Sequence, residues 1–233
     1  VGKTSILERI IYQFSKFNFK NIFIITGYKN KKIINKFHNK IINFNKIICL
    51  NEPYPMGTGG YILKYHKRFT KEFYILNADS ITEFNFKNFQ NLKLKNKLGK
   101  IVLTKNNNYK ENLKLNNLYT DRKKIIQTNK NTKNNKKNIF MNAGIYFLKR
   151  NCFNIKKLTY KKVSLENDII LPLINKKQIL GFESDDFFLD IGTPKNLKIS
   201  KSKKIAKRFY KSAVFFDRDG TINEDIGYLH EFK

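Results

Sequence analysis

Cysteine, acidic side chains and long apolar runs are all scarce in this chain, and each scarcity excludes something. The two cysteines, Cys49 and Cys152, are far apart and belong to no Cys-x-x-Cys pair, so no disulfide framework is implied and free, buried thiols are expected. No uninterrupted apolar run approaches the roughly 18 residues of a membrane span, and no signal-like segment precedes the first periodic stretch. A soluble cytoplasmic protein with no membrane partner is therefore expected. Acidic residues number 18 against 47 lysines and arginines, a formal net charge of +29. A field of that sign suits nucleic acid or an anionic surface. Here the charge is mostly Lys, spread among Asn, and runs such as 105–110 and 129–138 lack the Arg that makes most bidentate base contacts. The excess charge reads as solvated faces, and a basic nucleic-acid-binding protein stands as an alternative.

What is present supports one sizeable core: 233 residues with 41% hydrophobic content, the last twenty or so being too few for a domain of their own. Residues 1–205 read as one domain and residues 212–233 as the start of another, with the boundary in 201–211. The sequence opens on Val1, and both ends are expected to lack material of a longer parent.

Apolar groups at Ile6, Leu7, Ile10 and Ile11 predict a helix over 4–14. The β-branched run 21–27, closed by Gly27, predicts a buried parallel strand. A helix over 30–37, a strand over 46–50, a helix over 60–65 after a glycine-rich loop and a strand over 73–76 continue the alternation of an open α/β layer. Beyond residue 85 the rhythm changes to short strands at 101–104, 113–119 and 124–127. A longer strand over 139–148 is interrupted by Asn142-Ala143-Gly144. A helix over 165–174, strands over 178–182 and 187–191, and a helix from Pro194 towards Lys207 follow. Residues 212–216 open a fresh buried strand, and 129–138 reads as a polar excursion.

Asp79 follows an apolar strand, where open α/β sheets place ligands, although a lone strand-end Asp is as readily a cap or turn former. Asp190 also ends an apolar strand and precedes Gly192 and Thr193, which permit close backbone approach. Two carboxylates from separate strand ends can hold one Mg2+ between phosphate oxygens. The Pro55-Met56-Gly57-Thr58-Gly59-Gly60 loop is no Rossmann or P-loop fingerprint; its glycines let the backbone approach a base or ribose, or simply form a turn into a helix. Val1-Gly2-Lys3-Thr4-Ser5 matches the end of a P-loop, but such a loop needs a strand and four further residues upstream.

Five segments occur in order: EPYPMGTGG, FYILNADS, MNAGIYFL, SLENDIILPL and FFLDIGTPKNL. From about residue 2 to 200 the chain resembles the sugar-1-phosphate nucleotidyltransferases, in the branch similar to mannose-1-phosphate and heptose-1-phosphate guanylyltransferases. The resemblance implies a three-layer α/β/α nucleotide-diphospho-sugar transferase fold with a mixed, mostly parallel sheet. It implies a nucleoside triphosphate, GTP favoured, and a sugar phosphate as partners, with Gly57, Thr58 and Gly59 contacting the base and Asp79 and Asp190 holding Mg2+. Asn142 and Gly144 would position the sugar phosphate, and Glu166 would accept hydrogen bonds from sugar hydroxyls. The family's glycine-rich loop with its Arg and Lys would fall before Val1. Its mid-chain Glu-Lys pair is here Asn129-Lys130, so Lys130 is the candidate for reaching the sugar phosphate, with ordinary surface Lys as the alternative. A non-catalytic remnant is a further reading of these departures.

The end of the chain, AVFFDRDGTINEDIGYL, delivers Asp217 and Asp219 from an apolar strand, one carboxylate placed to attack phosphorus and the other to protonate the leaving oxygen. It resembles the first motif of haloacid-dehalogenase phosphatases of the histidinol-phosphate and heptose-bisphosphate branch, with both aspartates at the metal. A polar turn after an edge strand is the alternative. Later motifs of that family would lie past Lys233, so these residues alone are expected to lack phosphatase activity.

Overall fold

The computed structural model describes residues 4–17, 19–105, 118–121, 126–128, 140–155 and 162–208. Ser5 opens helix α1 (Ile6–Ser15) with a capping box: its hydroxyl accepts from the Glu8 N–H at 3.2 Å, and the Glu8 carboxylate accepts from the Ser5 N–H at 3.1 Å. Strand β1 (Asn21–Thr26), helix α2 (Lys31–Phe37), strand β2 (Ile41–Ile42) and strand β3 (Asn45–Asn51) form the first layer of sheet, with β1 parallel and β2 antiparallel to the central β3. Helix α3 (Gly57–Tyr65), strand β4 (Glu72–Leu76), strand β5 (Ser80–Thr82) and helix α4 (Phe86–Asn91) follow.

Strands β6 (Gly99–Thr104), β7 (Leu118–Thr120), β8 (Ile126–Thr128) and β9 (Met141–Lys149) come next. A π-helical segment, Leu165–Ile170, runs directly into helix α5 (Leu171–Asn175). Strands β10 (Ile179–Ser184) and β11 (Phe188–Asp190) and helices α6 (Pro194–Ser200) and α7 (Lys203–Lys207) complete the described elements.

The central sheet has the order β10-β6-β9-β4. β6 and β10 are parallel, and β9 is antiparallel to both β6 and β4, so three of its four strands share one direction. The mixed sheet that the resemblance implies is thus present, with β9 as the inverted strand. Side-chain alternation sorts the core into two faces. Ile101, Leu103, Tyr146 and Leu148 face Ile62 and Leu63 of α3 and Leu165, Ile169 and Ile174. Val102, Ala143 and Ile145 face Phe14 of α1 and the Phe84, Phe86 and Phe89 cluster around α4. Helices on both faces of one sheet give the three layers.

Differences from the expected elements have local causes. Helix α3 begins at Gly57 rather than Gly60, because Gly59 N–H donates to the Val163 carbonyl and Val163 N–H to the Met56 carbonyl, each at 2.9 Å, pinning the first turn. The helix expected from Pro194 to Lys207 is two helices, since Ser202 accepts from the Ile205 N–H and starts α7 afresh. Thr193 caps α6 with Pro194 in its first turn, as expected. β2, β5 and α4 have no counterpart among the expected elements. Of the expected strands at 113–119 and 124–127, the described parts pair as β7 and β8; residues 129–138 and the strand at 212–216 lie outside the described residues. Both thiols are free; Cys152 is buried, and burial pushes its pKa up to about 12. Among the described residues no helix is long and apolar enough to cross a membrane.

Lys100 projects from β6 into the aromatic face and is only 2% exposed. Its ammonium donates to the carbonyls of Phe89, Gln90 and Leu92 at 2.6, 2.9 and 2.7 Å, closing the C-terminal end of α4. Burial draws its pKa down to about 8, with the Glu72 charge opposing the shift. Lys100→Met strands those carbonyls in an apolar setting and is expected to lower the free energy of unfolding by about 2–4 kcal/mol in urea denaturation; a loss below about 0.5 kcal/mol would show that the cation is dispensable.

Candidate active site

β4 delivers the chain to the turn Asn77-Ala78-Asp79, and the next three residues pair antiparallel with β11, Ser80 opposite Asp190. The Ile191 N–H donates to the Asp79 carbonyl at 2.8 Å, so the two strand-end aspartates become neighbours. Asp190 is fixed from both sides: its Oδ1 accepts from the Gly192 N–H at 2.7 Å, and its carbonyl accepts from Asn196 Nδ2 of α6 at 2.7 Å. A Cβ added at Gly192 would sit 3.1 Å from Asp190 Oδ1 and 3.5 Å from Asp79 Oδ2. Glycine therefore leaves open a small space that both carboxylates border. Asp79 is exposed as a residue, yet its pKa is raised, first by desolvation, then by the Asp190 charge, with Glu166 adding to the repulsion.

A second group of residues adjoins this pair through the Asn77 N–H, which donates to the Gly144 carbonyl at 2.9 Å. Between β6 and β9 the register runs Ile101 to Tyr146 and Leu103 to Asn142, so the interruption expected at 142–144 is a bulge within a continuous strand. Gly144 carries it at φ +69°, and a Cβ there would meet Asn77 Nδ2 at 2.6 Å. The Gly144 N–H donates to Asn142 Oδ1 at 3.0 Å. Asn142 Nδ2 then donates to the Tyr146 hydroxyl at 2.5 Å, and that hydroxyl donates to Glu166 Oε1 at 3.2 Å. Tyr146 is fully buried, which raises its pKa and keeps it a neutral phenol.

Glu166 stands in the π-helical turn opened by Ser164, whose hydroxyl accepts from the Asn167 N–H at 3.1 Å. Its Oε2 accepts from Thr58 Oγ1 at 2.9 Å and Ser164 Oγ at 3.3 Å. Thr58 in turn accepts from the Leu165 N–H at 2.9 Å. This contact requires α3 and the Val163–Leu165 segment to touch backbone to backbone. At Gly57, φ is +75° and a Cβ would meet the Val163 carbonyl oxygen at 2.4 Å; at Gly59 it would meet Leu165 N at 2.9 Å.

The structure thus brings Asp79 together with Asp190, and Asn142, Gly144, Glu166 and Thr58 together through Tyr146. Gly57 and Gly59 form the first turn of α3 against 163–165. Lys130, Asp217 and Asp219 lie outside the described residues. Among the described residues no group of three or more His, Cys, Asp or Glu is arranged to hold a metal. Tyr146, Asn77 and Asn196 join the site without having been candidates on sequence grounds. Tyr146 lies two and four residues beyond Gly144 and Asn142 on one face of a strand, but as an aromatic residue in an apolar run it reads from sequence as ordinary core.

Comparison with known proteins identifies the family. A bifunctional protein GlmU from Methanococcus aeolicus is 28% identical over 95% of this chain and 54% of its own length, so the chain spans about half of that relative. A D-glycero-alpha-D-manno-heptose 1-phosphate guanylyltransferase from Aneurinibacillus thermoaerophilus is 27% identical over 81% of this chain and 80% of its own length. Among solved structures, HddC from Yersinia pseudotuberculosis superposes with a TM-score of 0.63 at 22% identity, covering 88% of this chain and 85% of that one, and has also been determined in complex with GMP-PN. The family model described as nucleotidyl transferase matches residues 1–207, and the chain belongs to that family.

Proposed function

We propose that the chain is the nucleotidyl-transferring part of an enzyme that joins the NMP of a nucleoside triphosphate, GTP favoured, to a sugar 1-phosphate of heptose or mannose type. The observation that carries this reading is the convergence of two strand-end carboxylates, Asp79 and Asp190, beside a hydrogen-bonded acceptor site built on Glu166. The guanylyltransferase names of the relatives, and a fold neighbour complexed with GMP-PN, support guanine as the base and heptose 1-phosphate as a candidate acceptor.

A phosphate oxygen of the sugar phosphate attacks the α-phosphorus, the bond from that phosphorus to the bridging oxygen breaks, and pyrophosphate leaves. Asp79 and Asp190 fit Mg2+: both border the space beside Gly192, and the repulsion between them is of the kind a divalent cation offsets. Bound there, Mg2+ would neutralise charge on the α-phosphate and the departing pyrophosphate. Asn142 and Gly144 orient the sugar phosphate, Glu166 accepts from sugar hydroxyls, Gly57, Thr58 and Gly59 line the base side, and Lys130 is assigned to the sugar phosphate. A cytoplasmic setting belongs to the same reading, since it supplies the nucleotide. Residues 212–233 are read as the opening of a phosphatase-like unit, with Asp217 as nucleophile, Asp219 as acid and both at its metal.

Asp79→Ala and Asp190→Ala are each expected to reduce Mg2+-dependent pyrophosphate release from GTP and a sugar 1-phosphate by about three orders of magnitude or more. Unchanged turnover in either variant would sink the assignment. A stability measurement addresses the same pair. The raised pKa of Asp79 means that the folded state holds its proton to higher pH than the unfolded chain, so stability declines as pH climbs above the usual carboxylate range. In metal-free buffer Asp79→Asn should therefore unfold at a higher temperature than the wild type at pH 7, with the gap closing towards pH 3; Mg2+ should raise the wild type alone. A variant no more stable than wild type at pH 7 would contradict the account of a carboxylate destabilised by desolvation and by its charged neighbour. For the terminal motif, Asp217→Asn in the full-length protein should abolish phosphate release from a sugar bisphosphate and spare pyrophosphate release. Phosphate release that survives the substitution would refute that role.

A further inference from the structure

We infer that Thr58 and Tyr146 are positioning residues for the sugar phosphate, and that they act by fixing Glu166 as a one-way acceptor. The inference rests on the nucleotidyltransferase reading and adds two residues to its sugar end. Counting protons fixes the direction of each bond. A backbone N–H can only donate, so the Asn142 atom facing the Gly144 N–H must be Oδ1, which turns Nδ2 towards Tyr146. The Tyr146 oxygen therefore accepts from Asn142, and its single proton points to Glu166 Oε1.

The same logic holds across the site. The Leu165 N–H can only donate, so Thr58 Oγ1 accepts from it and turns its own proton to Glu166 Oε2. Two hydroxyls, each backed by an amide donor, thus aim their only protons at opposite oxygens of one carboxylate. Ser164 is the third donor to the carboxylate, sharing Oε2 with Thr58. A carboxylate offers about four acceptor positions, so roughly one remains for a ligand, and it can take a donor alone. The ligand group that fits is a hydroxyl hydrogen, at an angle set by Tyr146 and by Thr58, which lies 108 positions before Glu166 in the chain. Tyr146 is buried and Thr58 lies at the first turn of α3, so one clamp arm is held by the sheet and the other by the helix.

The role also gives Thr58 work at the sugar end of the site, although its segment lines the base side in the proposed reading. Losing either arm frees Glu166 to rotate.

The test is steady-state kinetics of the full chain with GTP and heptose or mannose 1-phosphate, together with calorimetric titration of the sugar phosphate. Thr58→Val and Tyr146→Phe, each close to the original in shape, are expected to raise KM for the sugar phosphate by about 10- to 100-fold, and Tyr146→Phe, which lies away from the base side, to leave KM for GTP within about twofold. Thr58→Ser, which keeps the hydroxyl, should return KM for the sugar phosphate to near the wild-type value. Thermal unfolding of all three variants identifies any that fail to fold, and in that case the variant of the other arm decides the question. An active wild type whose Thr58→Val and Tyr146→Phe variants leave KM for the sugar phosphate unchanged, or whose Tyr146→Phe variant raises both KM values equally, overturns this inference alone. A wild type that neither binds nor turns over any sugar 1-phosphate overturns the functional reading and the inference with it.

Discussion

Two like charges are held side by side at the heart of this protein by a three-residue antiparallel pairing. β5 and β11 are too short to be stable alone, and their partnership sets Ser80 opposite Asp190 and ties the Asp79 carbonyl to the Ile191 N–H. The surrounding fold supplies the restraint that this arrangement needs. Gln13 of α1 donates to the Thr82 carbonyl at 3.1 Å, Asn196 of α6 grips the Asp190 carbonyl, and Ile81 and Leu189 close a small apolar cluster beneath. Within these restraints desolvation first, and then the Asp190 charge, raises the pKa of Asp79. Sites that store such repulsion are where functional carboxylates concentrate.

The rest of the site follows from close backbone approach. The bulge at Gly144 lets the Asn77 turn lie against β9, which couples the aspartate pair to Asn142. On the other side, the first turn of α3 abuts 163–165 so tightly that no side chain fits at Gly57, and this contact carries Thr58 to Glu166. Five short segments scattered over more than half of the sequence thereby form one chain of hydrogen bonds and one pair of charges. Their order carries the family resemblance; the bonds between them are the physical reason for their company.

Legibility in the sequence tracks the strength of the local signal. β1, β3, β4 and β6 are apolar, β-branched or aromatic runs, and their type and place are readable from the residues. The capping box of Ser5 and Glu8 is equally present in the sequence and sharpens the start of α1. β5, a polar Ser-Ile-Thr triplet, carries no periodicity of its own and becomes a strand only because β11 arrives to pair with it. The start of α3 is hidden for a related reason, since three glycines in four residues read as a loop until a partner backbone holds them as a turn. Asp79, Asp190 and Glu166 stand out as polar residues at the ends of apolar segments. Tyr146 does not, because an aromatic residue inside an apolar strand is ordinary core unless its hydroxyl partners are known.

The measurement that bears most directly on the account is a crystal structure of the protein with Mg2+ and a GDP-sugar. The account predicts the metal between Asp79 and Asp190, in contact with a phosphate oxygen, and a sugar hydroxyl donating to Glu166 with the Thr58 and Tyr146 bonds intact. A GDP-sugar bound elsewhere, or one bound here with the metal away from the two aspartates, would contradict it.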